Sequence, residues 1–296
     1  MTKSSLLLLD KPKGISSNFA LSQIKKKLNI KKAGIVGVLD PLATGMLPIV
    51  INEATKLSRF MENSKKNYRV KIKLGVKSNT GDNEGKLTYD KRKIPLLSIQ
   101  QYKEVLKKFH GNYIQKPPMF SSVKIKGKKL YQYAREGLEV ERPIRKTYIY
   151  NIQFIDINED ILEIKVSCSK GTYIRTLVED IGCSLNIFTL TDDLRRIGIG
   201  QFIEGDMVQL DDIRSDKNPN KGFYDISEMV NNVPAIEISD HDVVLLHQGS
   251  QISFESLMDS VEVIIRNPAA KIVGVGYIRN NICLLYTSPS PRDTAI

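Results

Sequence analysis

The sequence predicts an α+β fold, because segments with the alternation of strands outnumber segments with helical spacing and the two kinds are interspersed. Apolar and charged residues alternate from Tyr68 to Leu74, which is typical of a half-buried strand. Ser98 precedes an apolar stripe with helical spacing that ends at Phe109, and Gly111 lies just beyond it. With 296 residues, the chain can form one large domain and a small one.

The remaining elements are predicted by the same rules. In chain order they are a strand at 6–9, a helix from Ser16 or Ser17 to about Leu28, a strand at 47–51, a helix at 53–61, a turn at 79–85 and a strand at 162–166. After Pro234, short apolar runs at 235–238, 243–246, 261–265, 272–275 and 282–285 predict a small β-rich domain. Residues 286–296 (YTSPSPRDTAI) break the strand pattern, so we interpret them as a non-native or disordered tail.

The charge balance favours a polyanionic partner. Lys and Arg number 44 against 33 Asp and Glu, which gives a formal net charge of +11. Nucleic acid is the leading candidate and an anionic membrane surface the second, although a solvated lysine-rich surface would have the same composition. Because no apolar run approaches the ~20 residues that cross a bilayer, we expect no membrane span.

The cysteine and histidine patterns predict no metal and no cofactor. The 3 cysteines include no CxxC pair, so they favour neither a disulfide framework nor a zinc site. The 3 histidines lack the spacing of metal ligands, and the chain has no glycine-rich phosphate loop followed by Gly-Lys-Ser or Gly-Lys-Thr. A reducing cytoplasm is the simplest setting for such a chain.

The segment that is most informative about function surrounds Asp40. It reads GVLDPLATGMLPI from Gly37 to Ile49. Pro41 biases Asp40 toward an extended backbone, and Gly37 and Gly45 allow tight bends on either side. We therefore predict a stiff loop that presents a single carboxylate. Such a carboxylate suits a lone nucleophile, although an isolated Asp-Pro pair usually just starts a turn.

Two motifs together identify the family that the chain resembles. The Asp40 segment is similar, almost letter for letter, to the active-site segment of the bacterial tRNA pseudouridine synthases that modify uridine 55 of the T loop. The segment SKGTYIRT at 169–176 resembles a second motif of that family. The resemblance implies a catalytic domain at 1–230, with a mixed, mainly antiparallel sheet, flanking helices and a thumb loop. It also implies a small β-rich, PUA-like RNA-binding domain at 235–285.

The resemblance assigns roles to individual residues. Asp40 would be the catalytic nucleophile, acting without a metal or an organic cofactor. Arg175 would pair with it through charge-assisted hydrogen bonds and keep it ionised. Three further residues would bind the flipped uracil: Tyr68 by packing on the base, and Tyr173 and Leu194 by lining its pocket. Taken alone, Tyr68 and Leu194 suit a hydrophobic core, and Arg175 suits a surface ion pair.

A basic stretch resembles the mobile thumb of the family, which we place at about 121–146. Its first part, SSVKIKGKKLYQYAR, mixes cations with aromatic rings, which suits phosphate contacts and base stacking. The same composition also fits a solvated basic loop. The thumb residues that we expect to contact RNA are Lys124, Lys126, Lys128, Lys129, Tyr131 and Arg135. The segment LLDKPKG at 8–14 resembles another family signature, for which we expect a role in supporting the active-site loop.

Two adjacent positions depart from the family pattern. The chain has AGIVG at 33–37 where the family usually has AGHTG, so Ile35 replaces a histidine that contacts the RNA and Val36 replaces a threonine. Because isoleucine neither hydrogen-bonds nor stacks as an imidazole does, we predict retained chemistry with weaker or slower engagement of the RNA.

Two functions therefore remain open. The leading hypothesis is a stand-alone enzyme that converts uridine 55 of tRNA to pseudouridine. The alternative is an RNA-binding or tRNA-folding protein with weak or lost catalysis. The bacterial-style thumb and the lack of long basic tails disfavour a third possibility, a guide-RNA-dependent relative. We expect the T arm of tRNA as the partner, a monomer without an obligatory protein partner, and a cytoplasmic location.

Overall fold

The computed structural model describes residues 4–95, 97–215, 217, 220–253 and 260–287. The strands within these residues are β1 (Ser5–Lys11), β2 (Ala33–Ile35), β3 (Thr44–Ile51), β4 (Lys66–Leu74), β5 (Val76–Ser78), β6 (Leu87–Tyr89), β7 (Gly111–Gln115), β8 (Lys124–Ile125), β9 (Lys128–Lys129), β10 (Arg145–Asn158), β11 (Ile161–Cys168), β12 (Thr189–Ile199), β13 (Phe202–Ile203), β14 (Val208–Gln209), β15 (Phe223–Tyr224), β16 (Ala235–Glu237), β17 (Ile252–Ser253), β18 (Val261–Arg266), β19 (Ile272–Arg279) and β20 (Ile282–Thr287).

Helices flank these strands. They are α1 (Ser17–Lys27), α2 (Ser58–Asn63), α3 (Ile99–Lys107), α4 (Leu130–Arg135), α5 (Ile174–Leu185), α6 (Leu210–Arg214) and α7 (Asp240–His247), with short 3-10 helices at Asn52–Leu57, Glu204–Asp206 and Ile226–Met229.

A large sheet runs through residues 5–224. Its strands follow the order β14-β1-β3-β12-β4-β11-β10-β7, and β2, β13 and β15 pair at its sides, which makes 11 strands among the described residues. The β1–β14 and β3–β12 pairs are parallel, and the other pairs of this sheet are antiparallel. The predicted α+β class with a mixed, mainly antiparallel sheet is therefore confirmed.

The central sheet separates two hydrophobic cores. On one face, β4 and β11 pack against α1, α3 and α5, through residues such as Val70, Ile164 and Leu177. On the other face, β1 and β3 pack toward the C-terminal sheet, whose Ile264 and Val275 belong to the same cluster as Leu8. Alternation along each strand accounts for this division, since successive side chains point to opposite faces.

The C-terminal sheet has the order β16-β18-β19-β20-β17, with 5 strands among the described residues. Four of the five predicted apolar runs lie in its strands. The run at 243–246 lies in α7 instead, so that strand prediction is wrong. Ser239 begins this helix by accepting a hydrogen bond from the N–H of Asp242 at 3.1 Å, and acidic residues in the first turn favour the helix dipole.

Two other boundaries differ from the sequence predictions. The helix expected at 53–61 is a 3-10 turn, Asn52–Leu57, followed by α2. Strand β20 continues to Thr287, which pairs with Val275, so the sheet extends two residues into the segment interpreted as a tail. Residues 288–296 lie outside the described residues, as do residues 216, 218 and 219.

The described residues contain no helix that combines the length and apolarity required to cross a membrane. Over the same residues, no group of three or more His, Cys, Asp or Glu side chains is arranged to hold a metal ion.

Candidate active site

The loop that carries Asp40 is fixed on its N-terminal side by a serine of α1. Ser16 begins the helix by accepting a hydrogen bond from the N–H of Phe19 at 3.1 Å. The next residue, Ser17, is therefore available to the loop. Its hydroxyl donates to the carbonyl of Leu39 at 2.8 Å and accepts from the Leu39 N–H at 2.9 Å. The residue before the carboxylate is thus held at both of its backbone polar groups.

A buried lysine fixes the loop on its C-terminal side. Nζ of Lys11 donates to the carbonyls of Pro12, Ile15 and Pro41 at 2.9, 2.8 and 3.2 Å. Burial lowers the pKa of Lys11 to about 8, although the negative charge of Asp40 opposes the shift. This contact places the LLDKPKG segment beneath the loop, in the supporting position expected from the sequence.

A second buried cation braces the loop from the central sheet. Arg196 of β12 is 1 % exposed, and its guanidinium donates to the carbonyl of Met46 at 2.7 Å and to that of Gly37 at 2.8 Å. Gly37 and Gly45 have positive φ angles of 70° and 94°, as the predicted bends require. A Cβ on Gly45 would lie 2.3 Å from the Arg196 carbonyl, so only glycine permits β3 and β12 to approach this closely.

Arg175 makes the ion pair with Asp40. Its Nε lies 3.0 Å from Oδ2 of Asp40, and the two side chains are 5 % and 40 % exposed. The other guanidinium nitrogens donate to the carbonyls of Thr80 at 2.7 Å and Phe120 at 2.8 Å. The carboxylate therefore keeps one side open to solvent while a buried, fully engaged cation fixes its other side.

A second carboxylate, that of Asp82, lies close to another nitrogen of the Arg175 guanidinium. Oδ2 of Asp82 lies 3.7 Å from Nη1 of Arg175, and both side chains are buried. Asp82 is itself held, since its Oδ1 accepts from the Thr80 hydroxyl at 2.5 Å and from the N–H of Glu84 at 3.1 Å. Burial raises the pKa of Glu84, and the charges of Asp82 and Asp40 raise it further. The guanidinium thus lies between two acids, only one of which is open to solvent.

Tyr68 and Leu194 lie beside this loop on neighbouring strands. Tyr68 of β4 lies opposite Arg196 of β12, and Leu194 lies opposite Val70. Both side chains are nearly buried, in the same cluster as Leu39 of the Asp40 loop. Burial raises the pKa of Tyr68, so its phenol remains protonated at neutral pH.

Tyr173 is positioned by a buried glutamine of the edge strand β7. Oε1 of Gln115 accepts from the Tyr173 N–H at 3.0 Å, and its Nε2 donates to the carbonyl of Gly171 at 3.3 Å. The same Nε2 donates to the Thr147 hydroxyl at 3.2 Å. Tyr173 precedes α5, and one residue separates it from Arg175 in the first turn of that helix. The KGTYIR motif is therefore a rigid entry into a helix, and Tyr173 is half-buried at its start.

The thumb segment begins with a two-residue β-hairpin. Strands β8 and β9 pair across Lys126 and Gly127, whose φ angles of 48° and 81° are those of a type I′ turn. Leu130 is fully buried, and its N–H donates to the carbonyl of Val123 at 2.8 Å. The predicted loop is thus an ordered hairpin followed by the short helix α4.

The thumb cations fall into two groups. Nζ of Lys128 lies 4.6 Å from the ring centroid of Tyr133, while Lys129 and Arg135 lie 5.6 and 5.4 Å from that of Tyr131. Lys128 also forms an ion pair with Glu136. The exposed members without such a ring contact are Lys124 and Lys126.

Ile35 packs inward on β2, where it pairs with Ile49 and contacts the core cluster that includes Tyr68 and Leu39. The side chain is half-buried. An apolar residue is well accommodated at this position, and its effect on RNA engagement stays a prediction.

The sequence motifs pointed to the candidate catalytic and base-binding residues, but they did not point to the residues that position them. Asp82 and Gln115 were missed, because neither lies in a recognised motif. Arg196 was missed as well, although an arginine amid the alternation of β12 could have signalled a buried cation with carbonyl partners. The structure brings Asp40, Arg175, Tyr68 and Leu194 together around one loop, and their roles stay predictions.

Solved structures with the same fold include chains of two multi-component assemblies. One is a chain of an H/ACA RNP bound to a substrate RNA containing 2′-deoxyuridine, with a TM-score of 0.74, 22% identity, and coverage of 98% of this chain and 86% of that chain. A second belongs to a Cbf5-Nop10-Gar1 complex, with a TM-score of 0.73, 23% identity, and coverage of 98% and 86%. At this level of identity, the two structures establish the fold of the chain and carry no conclusion about its activity.

Fold and site together define a pseudouridine synthase architecture. The family model described as TruB family pseudouridylate synthase (N terminal domain) matches residues 25–174, which include Asp40, Tyr68 and Tyr173. A protein named tRNA pseudouridine synthase B from Coxiella burnetii (strain Dugway 5J108-111) is 38% identical over 92% of this chain and 90% of its own length. Its namesake from Buchnera aphidicola subsp. Acyrthosiphon pisum (strain APS) is 38% identical over 95% and 93%. This chain belongs to the TruB family of pseudouridylate synthases.

Proposed function

We propose that this protein converts uridine to pseudouridine at position 55 in the T loop of tRNA, with Asp40 as the nucleophile. The observation that carries the proposal is the ion pair between the half-exposed Asp40 and the buried Arg175, 3.0 Å apart. A carboxylate held in this way is oriented by the guanidinium and remains open to a substrate on its other side. Two relatives whose alignments cover more than nine-tenths of this chain are named tRNA pseudouridine synthase B, and these names support tRNA as the substrate.

The reaction is an isomerisation in which no atom is gained or lost. The bond between uracil N1 and ribose C1′ breaks, the base turns, and a bond forms between C5 and C1′. The proton on C5 is released and N1 gains one. The Asp40 carboxylate assists by covalent attack, either on C1′ of the ribose or on C6 of the base, which divides one difficult step into two easier ones. As proposed, the reaction requires neither a metal nor an organic cofactor.

The target base is flipped out of the RNA loop before this step. Tyr68 supplies an aromatic face for the everted uracil, a contact worth roughly 1–3 kcal/mol per base. Leu194 and Tyr173 complete the pocket, and their positions beside the Asp40 loop and at the entry of α5 support this assignment. Lys11 and Arg196 do not contact the base in this proposal. They position Asp40 by donating hydrogen bonds to backbone carbonyls of its loop.

Two further parts of the chain would bind RNA outside the pocket. The thumb at 121–146 contributes cations and tyrosines, and the residue just before it, Phe120, is tied to the site because its carbonyl accepts a hydrogen bond from Arg175. The C-terminal sheet at 235–285 serves as a PUA-like RNA-binding domain. The partner is the T arm of tRNA, and we propose that the protein acts in the cytoplasm as a monomer without an obligatory protein partner.

Ile35 favours one alternative, an RNA-binding or tRNA-folding protein with weak or lost catalysis. The side chain lies on the strand that leads into the Asp40 loop and packs into the core. It provides neither a hydrogen bond nor an aromatic ring to RNA.

One assay separates the two functions. A T-arm RNA is incubated with the protein, and pseudouridine is located by chemical labelling and primer extension, with a matched RNA that carries cytidine at position 55 as the control. We expect pseudouridine at position 55 and nowhere else in the arm. Binding without product would favour the alternative, and the absence of both binding and product would contradict both functions.

A further inference from the structure

A pair of exposed tyrosines lies on β10, outside the pocket described above. The rings of Tyr148 and Tyr150 have centroids 5.0 Å apart and planes inclined at 50°. The residues are 38 % and 44 % exposed and belong to none of the hydrophobic clusters. Two large rings that are side by side and half open to solvent contribute little to the stability of the fold.

Tyr150 lies on the same exposed face of β10 as Tyr148, as expected of residues two apart in a strand, and it coincides with a β-bulge. Along β10, Ile149 pairs with Cys168 and Asn151 pairs with Ser167, so Tyr150 is an extra residue without a partner on β11. Bulges of this kind redirect a side chain, often next to functional sites. Alternation brings the two rings onto one exposed face, and the bulge leaves Tyr150 without a partner on β11.

Lysines surround the pair. Nζ of Lys65 lies 5.3 Å from the ring centroid of Tyr150. Lys146 is exposed two residues before Tyr148 on the same strand, and Lys170 is exposed in the loop that pairs with Tyr148. Exposed aromatic rings interspersed with cations are the composition that binds bases and phosphates together.

The pair is linked to the candidate active site by a short hydrogen-bond network. The carbonyl of Tyr148 accepts from the N–H of Ser169 at 2.8 Å, and the Tyr148 N–H donates to the Ser169 hydroxyl at 2.9 Å. Only three residues separate Ser169 from Tyr173, so their Cα atoms are at most about 14 Å apart. An RNA that enters the pocket can therefore also reach the tyrosine pair.

We propose that Tyr148 and Tyr150 form a stacking platform for an unpaired nucleotide of the RNA substrate, distinct from the uridine that is isomerised. Lys65, Lys146 and Lys170 lie beside the platform and neutralise the phosphates next to the stacked base. The proposal deepens the function proposed above and rests on it.

Paired substitutions test the platform through affinity for a full-length tRNA transcript. Replacing both tyrosines by leucine retains apolar area but removes the rings, and we expect binding about tenfold weaker. Replacing both by phenylalanine retains the rings and should leave the dissociation constant within about twofold of wild type. Because no cation is removed, the salt dependence of binding should be the same in all three proteins.

Ile155 offers a matched control. It is the extra residue of the second bulge in β10, between Phe154 and Asp156, and is 43 % exposed. Ile155→Thr should bind tRNA as the wild type does, and thermal unfolding of every variant shows whether the fold is intact. Equal tRNA affinity for the leucine double variant and the wild type would overturn the platform.

The outcomes separate the platform from the proposed function. If the wild type binds tRNA without forming pseudouridine, the proposed function fails and the binding comparison still decides the platform. If the wild type forms pseudouridine and the leucine double variant binds equally well, the platform alone fails. A dimer that disappears in the leucine double variant, with RNA affinity unchanged, would assign this surface to self-association and overturn the proposal. A wild type that does not bind tRNA would overturn both.

Discussion

Arg175 connects Asp40 to the base of the thumb. One side of its guanidinium lies 3.0 Å from the Asp40 carboxylate, and Nη2 donates to the carbonyl of Phe120 at 2.8 Å. Phe120 immediately precedes the segment 121–146. The position of the carboxylate and the position of the thumb therefore depend on the same buried side chain.

We expect Arg175→Lys to lower the rate of pseudouridine formation by about 10- to 100-fold, because an ammonium cannot serve Asp40, Thr80 and Phe120 together in the planar geometry of a guanidinium. Single-turnover kinetics with a T-arm RNA measure the rate, and limited proteolysis of the thumb reports its loosening. A rate equal to that of the wild type would show that charge alone suffices at this position.

Arg196→Met should destabilise the fold by about 3 kcal/mol, since the buried carbonyls of Gly37 and Met46 would lose their donor while the volume is largely retained. Urea unfolding gives the free energy. Arg69→Gln is the control: Arg69 lies on the neighbouring strand, is 44 % exposed and pairs with Glu163 at 3.5 Å. Such an exposed pair contributes about 0–1 kcal/mol. Equal losses in the two variants would contradict a bracing role for Arg196.

Lys66 should make stability depend on pH. Burial lowers its pKa from 10.5 to about 8, and the charge of Arg196 contributes. Between these values the unfolded chain binds more protons than the folded one, so the free energy of unfolding rises with pH from about 8 to 10.5 and the burial penalty is present in full below about 8. The wild type should gain roughly 3 kcal/mol over this window relative to Lys66→Met. The measurement is urea unfolding of both proteins at several pH values, and a constant difference would contradict the prediction.

The thumb lysines should act on RNA through charge. Lys124→Gln and Lys126→Gln each remove one exposed cation, so each should lower the slope of log affinity against log salt by about 0.7–0.9 if the lysine meets a phosphate. The hairpin turn has its positive φ angles at Lys126 and Gly127. For that reason Lys124→Gln is the cleaner variant. An unchanged slope for both would place the RNA elsewhere.

Local sequence patterns predicted individual strands and helix starts, because these depend mainly on residues that are close together in the sequence. Alternation at 68–74 corresponds to β4, and Ser98 forms the capping box of α3 with Gln101. The run at 243–246 failed, because four successive apolar residues suit a helix as well as a strand and Ser239 supplied a helix start. Strand order could not be predicted, since the pairing of β4 with β12 joins segments that lie far apart in the sequence.

The residues of the candidate site also fall into those that sequence motifs predicted and those that only the fold brings together. The motifs singled out Asp40 and Arg175 as candidates, because a carboxylate and a guanidinium are residue types that suit the proposed chemistry. They did not reveal Asp82, which meets Arg175 only through the fold. The donors to the carbonyls of the Asp40 loop were equally hidden, because the partner of a backbone group leaves no pattern in the sequence.

The most direct test of the account is the first-turnover rate of Asp40→Asn on T-arm RNA, measured beside its RNA affinity. The amide keeps the shape of the carboxylate and removes its charge and nucleophilicity. We predict that no pseudouridine forms while the dissociation constant stays within about threefold of wild type, because Asp40 contributes to the chemical step and not to holding the RNA. Product at the wild-type rate from this variant would contradict the central claim.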